Sequence, residues 1–122
     1  LQTNAQTVNQ ENRAVIGAFG AIATAWPDAG VDILFGIGGT PEGVIAAAAL
    51  KCMGGEIQAM LWPQTADERA LAEANGYDVD AVLTTNDLVR GDNAFFAATG
   101  ITDGELLRGV RFRPQGANTQ SL

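Results

Sequence analysis

The sequence predicts an α/β domain with a largely parallel or mixed sheet flanked by helices, and three observations carry that expectation. Short apolar runs of strand length, at 31–37 and 56–62, alternate with helical stretches at 41–53 and 65–75, the pattern of strand–helix–strand units. Glycine or proline marks each change of type: Trp26-Pro27, Gly38-Gly39, Gly54-Gly55, Pro63 and Asn75-Gly76. Two T-x-x-E spacings, Thr65 to Glu68 and Thr102 to Glu105, have the form of capping boxes, which open helices.

Taken in order, residues 1–10 are rich in Gln, Asn and Thr and are expected to form a disordered tail. The globular part is then 11–122. A helix is expected over 11–25, ended by Trp26-Pro27 because the residue before proline disfavours helix. Strand 31–37 leads into helix 41–53, with Thr40 as N-cap, Pro41 as first helical residue and Gly54-Gly55 as the stop. That helix is apolar almost all round, so it is expected to be buried on two sides, with Ala46, Ala47, Leu50 and Cys52 covered. Strand 56–62 is closed by Pro63, and the Thr65 cap opens a helix that ends at Asn75-Gly76. Val82-Leu83 begins a short strand followed by a helical turn in the TTNDL segment. Residues 93–99 read as a buried strand with Phe95 and Phe96 on alternate faces. A brief helix from Asp103 and a last strand over 109–113 complete the chain.

A length of 122 residues fits one domain with a core of its own. The net charge of −7 argues against nucleic acid as a partner, because binding a phosphate backbone needs clustered Lys and Arg. The longest mostly apolar run, 14–26, is well short of the roughly 20 residues that cross a bilayer, so no membrane segment is expected. The chain has no histidine, which excludes His-based zinc sites, Ser-His-Asp triads and Cys-His dyads built within it. Cys52 is the one cysteine, reads as a small buried hydrophobe, and fits a reducing compartment, hence the cytoplasm. Any metal would meet hard oxygen ligands, which points to magnesium or manganese.

Two motifs carry no chemistry. Arg90-Gly91-Asp92 reads as a turn, and Asp87, Asp92 and Asp103 have the wrong spacing for a calcium loop. Arg108, Arg111 and Arg113, spaced along the final strand-like segment, admit two readings. Three guanidinium groups can grip a sugar phosphate, but such a run is more often a solvated strand edge or a subunit contact.

The densest chemistry lies in GIGGTPEGVIAAAALKCMGG, residues 36–55. A strand end, a glycine turn and a helix start bring backbone N–H groups toward an anion at Gly38, Gly39 and Thr40. Glu42 falls in the first helical turn, where it either offsets the helix dipole or holds a divalent cation beside a bound phosphate. The turn is neither a GxGxxG fingerprint nor a P-loop, since no GK[ST] follows.

GIGGTPEGVIAAAALKCMGGEIQAMLWP together with VLTTNDLVRGDNAFFAATGITDGELLRGVRF resembles the second half of the class 2 fructose-1,6-bisphosphatases. These are metal-dependent bacterial and cyanobacterial enzymes related to the lithium-sensitive sugar and inositol phosphatases. The likeness runs from about Ala21 to the C-terminus and implies the C-terminal part of a larger two-part sugar phosphatase fold. It also implies hydrolysis of fructose 1,6-bisphosphate to fructose 6-phosphate and phosphate, in gluconeogenesis or the Calvin cycle, by a homo-oligomer using Mn2+ or Mg2+. Glu42 of the GGTPEG motif takes the role of a metal ligand by that likeness, and Gly39, flanked by Gly38 and Thr40, belongs to the substrate site. The family's other metal-binding carboxylates, and an Asp-Gly-Asp substrate loop expected near Val15, Ile16 and Gly17, have no counterpart here. Residues 1–17 do not look like the family, and the chain opens on Leu1. The expectation is therefore a fragment that is inactive alone. The alternative is a non-catalytic truncated module that binds anions weakly or assembles with full-length homologues.

Overall fold

The computed structural model describes residues 2–3, 18–104 and 106–122. Its elements are β1 (Gln2–Thr3), α1 (Ala18–Ala23), β2 (Gly36–Ile37), α2 (Thr40–Met53), β3 (Gln58–Met60), α3 (Ala66–Ala74), β4 (Leu83–Thr84), α4 (Thr85–Leu88), β5 (Arg111–Arg113) and β6 (Gly116–Asn118). The stretch 11–17 of the first expected helix lies outside the described residues. So does most of the expected tail, of which Gln2–Thr3 form a strand.

The four-stranded sheet has the order β2-β1-β3-β4, with Thr3 opposite both Gly36 and Ala59, and Ala59 opposite Leu83. Each of these pairings is antiparallel, where the alternation of elements predicted a largely parallel or mixed sheet. The physical reason is the position of β1. β2 and β3 both run against it, so they point the same way and α2 crosses between them, but β1 occupies the place where they would pair directly.

α2 is the centre of the packing. Ala46, Ala47 and Leu50 on it form a cluster with Ile57, against which Ala21 and Ala25 of the α1 region and Leu88 and Val89 of the α4 region pack. Pro in its first turn and Gly54 at φ 76° after its last bound the helix, as the punctuation predicted. Gly55 is needed for close approach: a methyl there would come within 2.8 Å of Leu50 Cδ2 and 2.9 Å of Ala25 Cβ. Lys51 Nζ donates to Asn86 Oδ1 and to the Val89 carbonyl, both at 2.8 Å, tying α2 to α4.

Burial of α2 on two sides is corrected. Val44 and Ile45 are exposed, and Cys52 is exposed as well, its thiol donating to the Ala94 carbonyl at 3.5 Å. Complete burial needs neighbours on every side, and among the described residues α1 and α4 cover part of the helix only.

Two other expectations change. Residues 93–99 show the predicted alternation as burial, with Ala94, Phe96 and Ala98 inward and Phe95 outward at 91% exposure. They form no regular strand. Their pairing is confined to the end of the chain, where Ala98 and Leu122 exchange backbone hydrogen bonds at 3.0 and 2.9 Å and Thr99 bridges Ser121. Among the described residues no helix starts at Asp103, whose carboxylate instead holds a different structure, described below, and Glu105 of the expected capping box lies outside the described residues. The final strand, by contrast, is present as β5, and it pairs in a hairpin with β6 across Pro114-Gln115.

Candidate functional site

The turn from β2 into α2 begins one residue earlier than the sequence predicted. Gly39, at φ −66° and ψ 154°, is the N-cap, and its carbonyl accepts the first helical bond from Gly43 N–H at 3.1 Å. Thr40 is therefore the first helical residue, and no side chain caps this end. That matters chemically, since the N–H groups of Thr40 and Glu42 are left without a capping side chain, Pro41 between them having no N–H. Such an end attracts anions through both its donors and its dipole.

The structure brings Gly38, Gly39, Thr40 and Glu42 together at this turn, all exposed. Glu42 folds back over the glycines: a methyl group built on Gly39 would collide with Glu42 Oε2, whereas one on Gly38 would meet nothing within 4 Å. Gly39 thus leaves room for the carboxylate to sit on the turn. Among the described residues, no group of three or more His, Cys, Asp or Glu side chains gathers where it could hold a metal ion. Glu42 therefore offers one oxygen-bearing side chain and not a coordination sphere. A single carboxylate leaves most positions of manganese or magnesium to water and binds weakly.

The arginines of the final strand lie in a separate groove of about 1050 Å³, lined among others by Asp103, Arg108, Arg111, Arg113, Asn118 and Gln120. Asp103 organises it. Its Oδ1 accepts the Gly109 N–H at 2.9 Å, and Arg111 Nη2 reaches Oδ1 and Oδ2 at 2.9 and 2.7 Å. These bonds, the Arg111 guanidinium first and the Gly109 amide second, hold the Asp103 carboxyl below the usual carboxylate range. Sequence reasoning took Asp103 for the first residue of a helix and missed Asn118 and Gln120 altogether. The signal for the latter two was the Arg113-Pro114-Gln115-Gly116 turn, since proline followed by glycine marks a reversal that brings the next residues opposite the arginines.

The GGTPEG turn and the arginine groove both lie inside the segment that a known family model matches. The family model described as bacterial fructose-1,6-bisphosphatase, glpX-encoded, matches residues 16–122, and the chain belongs to that family. It is 43% identical over 116 residues to the fructose-1,6-bisphosphatase class 2 of Haemophilus influenzae, covering 84% of this chain and 35% of that protein. It is 40% identical over 115 residues to the fructose-1,6-bisphosphatase 2 class 2 of Escherichia coli K12, covering 84% of this chain and 36% of the relative. A D-fructose 1,6-bisphosphatase class 2/sedoheptulose 1,7-bisphosphatase of Synechococcus is 41% identical over 115 residues, 84% of this chain and 33% of the relative. The chain spans about a third of the length of these curated relatives. Among the described residues, no helix is long and apolar enough to cross a membrane.

Proposed function

We propose that this chain supplies the phosphate-facing turn of a class 2 fructose-1,6-bisphosphatase, a phosphoric monoester hydrolase acting on a sugar bisphosphate in the cytoplasm. The observation that carries the reading is the uncapped start of α2, with Glu42 lying over Gly39, inside the segment that matches the family. The N–H groups from Gly38 to Thr40 hold phosphoryl oxygens of the ester, where donors fixed in advance stabilise charge without reorganising. Glu42 contributes one ligand to a divalent metal, manganese or magnesium. The remaining ligands come from the part of the full-length enzyme that this chain does not span, and the intact enzyme is a homo-oligomer serving gluconeogenesis or the Calvin cycle.

The alternative is a non-catalytic module, in which this polypeptide by itself binds anions at the turn without hydrolysing them. Both readings agree that the chain alone releases no phosphate from fructose 1,6-bisphosphate in manganese or magnesium. They part in the full-length polypeptide carrying this motif. There, Glu42→Gln keeps size and hydrogen bonding but removes the charge, so metal-dependent turnover collapses while thermal stability moves little. Near-normal turnover with a loss of only about 0.3–1 kcal/mol of stability would reduce Glu42 to a residue that offsets the helix dipole.

A further inference from the structure

We propose that the groove between Asp103, Gly104, Arg108 and Gly109 on one side and the β5–β6 hairpin on the other is a second anion site, separate from the β2–α2 turn, that takes a compact ligand bearing two phosphate groups. The register places its parts. Arg111 pairs with Asn118 and Arg113 with Gly116, and residues opposite one another in an antiparallel pair share a face, as do residues two apart on one strand. Arg111, Arg113 and Asn118 therefore stand on one side of the hairpin, with open space beside Arg113 because Gly116 carries no side chain. Arg108 is brought to the same groove from the loop, where its backbone N–H donates to Gln120 Oε1 at 2.6 Å.

The three arginines do different work. Arg111 is committed to Asp103, which neutralises the carboxylate that lines the groove and fixes the loop through Gly109. Arg108 and Arg113 are exposed, and among the described residues neither guanidinium has a hydrogen-bonded or ion-paired partner. Each keeps five donors in a planar fork suited to phosphate oxygens. Three of the chain's seven Lys and Arg residues thus meet in one groove of a molecule with net charge −7. That contrast selects a small ligand over a long one. A compact diphosphate feels the local positive field, while an extended nucleic acid would also meet the acidic remainder of the surface.

The test is a titration of the full ¹⁵N-labelled chain with inorganic diphosphate at constant ionic strength. The expected result is saturable amide shifts at Gly104, Gly109, Asn118 and Thr119, weakened about tenfold by Arg108→Gln and by Arg113→Gln. Both side chains are exposed and without a hydrogen bond, and the charge of Arg108 acts on Asp103 only from a distance, beside the direct Arg111 pair, so folding is retained. Arg90→Gln, which removes a charge outside the groove, should titrate like the unmodified chain. Shifts that never saturate, or that are equal in all three variants, would overturn the site. Shifts confined to Gly38–Thr40 would do the same while leaving the β2–α2 reading intact. Displacement of diphosphate by a single-stranded oligonucleotide at equal phosphate concentration would overturn the choice of a compact ligand.

Discussion

The β2–α2 turn and the β5–β6 groove are the two places where we propose that this acidic chain meets an anion, and they are built differently. At the turn the donors are main-chain N–H groups at the start of a long helix, with a carboxylate in place of any cation. In the groove the donors are guanidinium groups, and among the described residues the one lining carboxylate, Asp103, is held by one of them. The first design depends on the helix being held rigidly by its core. The second depends on local hydrogen bonds and the Asp103–Arg111 ion pair, since every residue of β5 and β6 is exposed. Binding at the two places should accordingly respond to different perturbations.

The largest effect that sharpens this contrast is in the core. Leu50 is 2% exposed in the cluster beneath α2, so Leu50→Ala should cost about 2–5 kcal/mol, the range for opening a cavity at a buried leucine. Phe112 on β5 is 85% exposed, and Phe112→Ala should stay within about 0.5 kcal/mol, as at other surface positions. Denaturant unfolding of the two variants measures both. Equal losses would mean that the hairpin is stabilised by packing after all, and the contrast would fail.

The same division explains what could be read from the sequence. α2, its glycine stop, the strand within 56–62 and the Thr65 cap were legible because their signals are local: Thr65 Oγ1 accepts from Glu68 N–H at 3.2 Å, as the T-x-x-E spacing predicted. The Gly-rich turn with Glu42 was legible for that reason too, although its cap lies at Gly39 and not Thr40. What failed depends on distant partners. Residues 31–35 form no strand, the partner of β2 is the distant β1, and 93–99 depend on the chain end at 120–122. The Thr102–Glu105 spacing looked identical to the Thr65 signal. Asp103 instead bonds Gly109 and Arg111, and no local pattern announces that competition.

A smaller effect tests caps against each other. Thr84 forms a reciprocal box with Asp87, accepting from its N–H while the Asp87 carboxylate accepts from Thr84, so Thr84→Ala should cost about 0.5–2 kcal/mol. Thr40→Ala should cost almost nothing, since its side chain caps no N–H. Thermal unfolding of the pair checks this. A loss at Thr40 as large as at Thr84 would place the cap of α2 back at Thr40 and would close the uncapped helix end on which the anion reading rests.

The smallest effect is a pH dependence carried by two exposed carboxylates, one in the hairpin groove and one on α4 beside α2. Asp103 has its carboxyl held low by Arg111 and Gly109, and Asp87 by the Thr84 hydroxyl and then its backbone N–H. A carboxyl lowered in the folded state binds its proton later than in the unfolded chain, so stability rises with pH wherever the unfolded state carries the extra proton. The contribution is therefore complete above the ordinary carboxylate range near pH 4 and fades as pH falls through the lower folded value. Both groups are exposed, so salt should shrink the effect. Amide spectra taken from pH 6 down to pH 2 should show Gly109 and the β5–β6 amides moving with Asp103, and the α4 amides moving with Asp87. The amides around Ala46, Ala47 and Leu50, whose cluster contains no ionisable group, should follow only on unfolding. Asp103→Asn should remove the step in the hairpin and leave the α2 signals unchanged. If hairpin and α2 titrate together in both proteins, Asp103 does not latch the groove, and the two regions are not held by different forces.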